Sequence, residues 1–311
     1  MKRAFVTGAA GYIGGSVAVR LRQEGFDVIG LVRSPEQAAR LAALGVEPAV
    51  GTLDDEAGLV RLAKAADVVV NTASSDHRPA VEALVRALRQ TGRTLVHTSG
   101  SSIVADDADG EASDRVFDER TPFEPVPSKA ARVAIDRLVL DAAREEIRSI
   151  VVCPTMIYGR GAGPKRDSIQ VPILIRASQE RGAGVHIARG LNTWSNVHID
   201  DLVDLYVLAI RNAAPGSFFF AENGEARLGD IAAGLSRMLG FGGRTVAWPI
   251  DDAIQTLGVE AARYALASNS RVRAAAARET LAWRPHRPSL MSEIESGSYR
   301  EDFGDRGPSA G

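Results

Sequence analysis

Val6-Thr7-Gly8-Ala9-Ala10-Gly11-Tyr12-Ile13-Gly14 is a glycine-rich turn between the apolar run 4–6 and a helix-like segment reaching about residue 24. Glycines spaced G-x-x-G-x-x-G let a strand turn tightly, let backbone N–H groups approach a pyrophosphate and let the next helix pack closely on a sheet. A ligand-free strand-to-helix turn uses the same glycines. What favours nucleotide binding is position, because this turn opens a long alternation of strand and helix, the context the motif requires.

Outward from the turn, the pattern predicts strands over 26–32, 46–50, 67–71, 94–97 and 149–153. Helices are expected over 36–44, ending at Gly45, and over 55–65, 78–90 and 128–146, with an irregular segment at 99–125. The continuous apolar run near 67–71 is of the kind parallel sheets bury on both faces. The implied fold class is α/β, a Rossmann-type doubly wound parallel sheet.

Beyond Pro154 the alternation loosens into a glycine-rich loop at 159–165, a helix at 169–179, short strands at 185–188 and 194–197, and a helix at 198–210. A strand at 218–221, helices at 228–239, 250–257 and 270–280, and a frayed tail at 302–311 complete the expectation. Residues 1–153, continued by about 191–213, are therefore read as the dinucleotide-binding domain. About 154–190 and 214–311 form a smaller, partly C-terminal substrate-binding lobe, with substrate in the cleft between them.

The 311 residues, 45% apolar, suffice for a substantial core. A net charge of −2 gives no reason to expect nucleic acid or an anionic membrane as partner. The single cysteine, Cys153, cannot form an internal disulfide, which suits a reducing cytoplasm. The opening MKRAFVTG lacks the apolar core of a signal peptide, and no stretch has the length of a membrane span, so a cytoplasmic location is expected. Five scattered histidines make no zinc-like cluster, and no metal is expected.

With turn, sheet and cleft in place, the chain resembles the extended short-chain dehydrogenase/reductase superfamily over nearly its whole length, and its atypical, epimerase/dehydratase-like subgroup in particular. TGAAGYIG, GTLDD, VVVNTAS, VHTSGSS, SKAA, CPTMIYGRG and NVHIDDLVDLYVLAI carry the resemblance, in family order. It implies a pyrophosphate loop of Gly8, Gly11 and Gly14 with Tyr12 and Ile13 over it, and an adenine border at Leu53 and Asp54. Ala73 would pass near the cofactor backbone, Lys129 would bind the nicotinamide ribose, and Pro154, Thr155 and Ile157 would flank the carboxamide. Dimerisation through the helices at 78–90 and 128–146 is common in the family, and a monomer is equally compatible.

The end of the second strand bears on the choice of cofactor. An acid there would bind the adenosine ribose hydroxyls, but the position is Val32, followed by Arg33 and Ser34. A cation and a hydroxyl suit a 2′-phosphate, so NADPH is expected over NADH.

The resemblance also exposes a gap. The family's acid is a tyrosine four residues before the lysine, and that position holds Pro125; the family's serine position aligns with Gly100, flanked by Ser99 and Ser101. The expected chemistry is hydride transfer to a carbonyl, oriented by Lys129 and protonated by Ser99, Ser101, water, Tyr158 or a hydroxyl of the substrate. A reductase lacking that tyrosine is similar to ketoreductases of aromatic, angucyclinone-like polyketides, implying a hydrophobic small-molecule substrate. An epimerase or dehydratase is the alternative within enzymes, and a non-catalytic NADP-sensing regulator the alternative outside them.

Other residues have two readings. Tyr158, Trp194, His198 and Met156 are read as substrate-facing, with core packing as the competing role. Asp76 and His77 sit where a helix cap is needed, Asp200 and Asp201 support the start of a helix, and His97 and His186 are read as structural.

Overall fold

Val68-Val69-Val70 is β-branched, stiff at χ1 and wholly buried, and it forms a central strand of the main sheet. The computed structural model describes residues 2–304. In chain order the first unit runs β1 (Arg3–Thr7), α1 (Tyr12–Gln23), β2 (Asp27–Val32), α2 (Pro35–Ala42), β3 (Glu47–Val50) and α3 (Glu56–Lys64). It continues as β4 (Val68–Asn71), α4 (Arg78–Leu88), β5 (Thr94–Thr98), α5 (Ala130–Asp141) and β6 (Arg148–Pro154).

The remainder contains β7 (Met156–Tyr158), α6 (Gln170–Arg181), β8 (Gly184–Ile187), β9 (Thr193–His198), α7 (Ile199–Asn212) and β10 (Ser217–Ala221). Then come β11 (Glu225–Arg227), α8 (Leu228–Met238), β12 (Thr245–Trp248), α9 (Ile250–Leu257) and a π-helical segment, Glu260–Leu266. Helices α10 (Ala275–Thr280), α11 (Leu290–Ser296) and α12 (Ser298–Phe303) close the described chain.

The main sheet has seven strands in the order β10-β6-β5-β4-β1-β2-β3, all parallel. One face packs on α1 and α7 through residues such as Val17, Leu21, Leu202 and Tyr206; the other packs on α3, α4 and α5 through Leu59, Leu84 and Val139. Each fully buried aliphatic side chain of this kind contributes about 1.5–3 kcal/mol. A separate apolar cluster, including Leu174, Val185, Leu235 and Ile294, holds the second lobe.

Four expectations are corrected. The strand near 218–221, assigned to the smaller lobe, is β10 and pairs with β6 as the edge of the main sheet. The helix expected over 270–280 begins only at Ala275, because Ser270 and Val272 instead bridge Trp194 and Phe117 in extended chain. The helix expected over 128–146 is α5 flanked by 3₁₀ turns at Pro127–Lys129 and Ala142–Glu145, and Glu146 ends it at φ 58°. Of the tail expected to fray, residues 302–303 close α12, and 305–311 lie outside the described residues.

Candidate cofactor and active site

Strand order reverses at β1, whose neighbours are β2 and β4, so a crevice opens beyond the carboxyl ends of those strands. The glycine turn occupies it. Gly8 has φ +68°, and a Cβ there would stand 2.7 Å from Ala73 Cα; a Cβ on Gly14 would stand 2.3 Å from Thr72 Oγ1. Thr7 Oγ1 donates to Asn71 Oδ1 at 2.6 Å, and Thr72 Oγ1 donates to Thr7 O at 2.6 Å, fixing the turn to the end of β4. Gly11 caps α1 without a side chain, leaving first-turn N–H groups free for an anion.

Two cavities meet at this turn. The first, about 400 Å³, is lined by Gly8, Gly11, Arg33, Leu53 and Ala73 and extends over β2 and β3. The second, about 250 Å³, is lined by Tyr12, Ile13, Gly14, Thr155, Ile157 and Gln170, on the side of β6. Lys165 lines both. A bare glycine cradle at a helix N-terminus with a cavity on each side fits an extended dinucleotide, and Lys165 is a cation common to both cavities. No motif pointed to Lys165, which comes from a loop whose sequence reads only as glycine-rich.

The proposed cofactor residues are not equivalent in place. Arg33 is exposed on the first cavity, whereas Ser34 Oγ accepts from Gln37 N at 3.3 Å and caps α2. Asp54 turns outward and pairs with His77 Nε2 at 3.1 Å. Pro154 is buried at the end of β6, while Thr155 Oγ1 donates to Ala221 O at 2.8 Å. His77, not Asp76, caps α4, its Nδ1 accepting from Ala80 N at 3.2 Å; Asp76 instead takes two bonds from Arg132, at 2.9 and 2.5 Å.

Lys129, between β5 and β6 in the chain, is buried and lines neither cavity, and its ammonium pairs with Glu260. Pro125 stands four residues earlier. Gly100 is extended at φ −168°, and a Cβ there would meet nothing closer than Arg132 Nη1 at 3.4 Å, so its lack of a side chain is not a backbone requirement.

The two flanking serines turn away from the cavities. Ser99 Oγ donates to Asp136 Oδ2 at 2.6 Å inside the fold. Ser101 is buried and its Oγ accepts from Ser270 Oγ at 2.9 Å. Their expected catalytic role is corrected accordingly, since both hydroxyls are committed within the core. Around Ser99 lies a buried polar group: Asn71 Nδ2 donates to His97 Nδ1 at 3.0 Å, and His97 Nε2 stands 3.7 Å from Asp136 Oδ1.

The substrate-facing expectations for Met156, Tyr158, Trp194 and His198 are also corrected. Met156 and Tyr158 are fully enclosed, and Tyr158 Oη donates to Pro288 O at 2.8 Å. Trp194 Nε1 donates to Ser268 O at 2.8 Å in the core of the second lobe. His198 caps α7, its Nδ1 accepting from Asp200 N at 3.1 Å, with Tyr158 edge-on 5.4 Å away. Burial lowers its basicity. Tyr12, expected over the loop, lines the second cavity and donates to Gly159 O at 2.7 Å, tying the turn to the chain beyond β7.

Asp201, Asp204 and His286 bring three ligand atoms within 4.8 Å of one another, a grouping that sequence spacing does not reveal. Their oxygens are already engaged: Asp201 accepts from the backbone N–H groups of His286 and Arg287, and Asp204 pairs with Arg20. No helix among the described residues is long and apolar enough to cross a membrane.

The chain is 31% identical over 333 residues to the oxidase ucsJ of an Acremonium species, covering 94% of this chain and 96% of that protein. It is 29% identical over 240 residues to a 4-hydroxy-2-methyl-3-oxo-4-farnesyl-3,4-dihydroquinoline-1-oxide ketoreductase of Stigmatella aurantiaca, covering 71% and 68%. Among solved structures it superposes on dTDP-glucose 4,6-dehydratase of Bacillus anthracis, determined in complex with NAD, with a TM-score of 0.76 at 16% identity over 97% of each chain. The model of the NAD dependent epimerase/dehydratase family matches residues 4–219, spanning the glycine cradle, both cavities and Lys129, and the chain belongs to that family.

Proposed function

We propose that this protein is an NADPH-dependent ketoreductase acting on a hydrophobic, ring-fused ketone. The observation that carries the reading is the pair of cavities joined at the glycine turn, the second of them with an apolar wall. Ile169, 66% exposed on the rim of the second cavity beside Ile13 and Ile157, offers an apolar surface for a flat substrate. The ketoreductase from Stigmatella supports the substrate class, since the name of its substrate places a 4-hydroxyl beside a 3-oxo group on a fused ring.

When bound, a reduced nicotinamide supplies a hydride. The chain's part is to hold and orient. Gly8, Gly11 and Gly14 bring backbone against the pyrophosphate, Lys165 lies between the halves, and Arg33 faces a 2′-phosphate. Lys129 orients the nicotinamide end. Holding two reactants in near-attack geometry supplies roughly 7–11 kcal/mol, so turnover survives the loss of the tyrosine at Pro125 provided that a proton comes from elsewhere. Reversible oxidation of an alcohol, as an epimerase requires, depends more heavily on the missing base, which favours reduction.

The test follows NADPH absorbance with a panel of hydroxylated aromatic and quinonoid ketones. Consumption with at least one of them, and slower consumption of NADH, is expected. Tight NADPH binding with no consumption across the panel defeats the reading in favour of a cofactor-sensing role.

A further inference from the structure

Pro125 removes the phenol from its place beside Lys129, but the ammonium still has a phenol beside it. The ring of Tyr264 lies 5.3 Å from Lys129 Nζ, centroid to nitrogen, and comes from the second lobe. It stands on the π-helical segment Glu260–Leu266, whose first residue, Glu260, pairs with the same ammonium. Segments with this wider winding are rare and recur at functional sites.

The segment is tied to the cavity wall. Gln170, which lines the second cavity, donates from Nε2 to Ala265 O at 2.8 Å. That cavity lies on the β6 side of the cradle, the half opposite Arg33. Of the five tyrosines, four are buried with their hydroxyls committed: Tyr12 to Gly159, Tyr158 to Pro288, Tyr206 to Thr98 and Tyr299 to Ser168. Tyr264 alone is half-exposed.

We propose that Tyr264 is the proton donor of the reduction, supplied by the second lobe in place of the residue missing at Pro125, with Lys129 and Glu260 as its positioning residues. The proposal rests on the ketoreductase reading. As the carbonyl carbon receives a hydride from the reduced nicotinamide, the carbonyl π pair moves to oxygen. The Tyr264 O–H bond then breaks as the alcohol O–H forms. A proton taken up from bulk solvent restores the phenol, so ketone, reduced nicotinamide and one proton give alcohol and oxidised nicotinamide.

Two measurements decide it. Tetranitromethane followed by peptide mass spectrometry should nitrate Tyr264 in the free chain. Saturating NADPH should protect it, and 2′,5′-ADP, which fills only the adenine half, should not. Equal nitration with and without NADPH overturns the placement of Tyr264 at the nicotinamide end, whether or not a ketone substrate is known.

In the second, Tyr264→Phe keeps the ring against Lys129 and removes only the hydroxyl. NADPH affinity by fluorescence should hold within about twofold while kcat falls by about 10²–10⁴. Unchanged kcat overturns the proposal and assigns the proton to substrate or water. Absence of turnover in the parental chain counts against the reductase reading alone, and unprotected nitration counts against Tyr264 alone.

Discussion

Ser99 Oγ donates a 2.6 Å hydrogen bond to Asp136 Oδ2, so the hydroxyl beside the family's serine position faces helix α5 and not the cofactor crevice. Ser99→Ala should therefore lower stability, by about 1–2 kcal/mol for a buried bond to a carboxyl, and leave kcat within about threefold. Ser101→Ala, which loses the bond from Ser270, should behave alike. Urea denaturation and ketone turnover on the same preparations check both, and a large loss of kcat at either serine contradicts the placement.

Asp136 and His97 predict opposing pH effects. Burial pushes the Asp136 carboxyl from 3.8 up to about 7, although the Ser99 bond and Arg132 pull it down. The folded chain then binds the proton more tightly, and the stability gained is lost as pH rises from about 4 to 7, at up to about 1.4 kcal/mol per unit. Burial pushes the His97 imidazole from 6.5 down to about 4, so the unfolded chain binds that proton first. Its share of stability rises with pH from about 4 to 6.5, at a similar limiting slope. Asp136→Asn should expose the rising slope and His97→Gln the falling one, in urea titrations across this range, with the parental chain flatter than either.

Arg33 and Lys165 should separate in their effects. Arg33→Ala should cost NADPH affinity one charge-assisted contact, about 1.5–3 kcal/mol or roughly 10–100-fold, and should hardly touch NADH. Lys165, which lines both cavities, should on replacement by alanine weaken the two cofactors alike. Fluorescence titration with each cofactor distinguishes the selective loss from the general one.

Gly14→Ala places a methyl 2.3 Å from Thr72 Oγ1 and 2.4 Å from Gly8 O, in a turn anchored on both sides. The expected result is a loss of about 1–3 kcal/mol in stability from overpacking, with cofactor affinity falling more steeply because the turn must shift. Thermal melts with and without NADPH read both: the stabilisation that NADPH adds should shrink.

Those parts of the chain governed by local geometry are legible in the sequence. Gly8 and Gly14 announce the cradle because no side chain fits there, and Val68–Val70 announces a buried strand because no polar residue interrupts it. Pro125, four residues before Lys129, announces the missing phenol only through the resemblance, which supplies the Tyr-x-x-x-Lys pattern it breaks. Long-range placement is not legible in the same way. Met156, Tyr158 and Trp194 read equally as pocket or core, and only the packing of the second lobe settles them as core. Tyr264 lies 135 positions after Lys129 and reaches it through a segment whose π-helical winding has no sequence signature.

The central claim, hydride delivery from NADPH to a ketone, is tested most directly by label transfer. The chain is incubated with NADPH deuterated at nicotinamide C4 and a hydroxylated fused-ring ketone, and the product is examined by mass spectrometry. The account predicts an alcohol carrying one deuterium at the former carbonyl carbon; bound NADPH that transfers no deuterium to any ketone of the panel contradicts it.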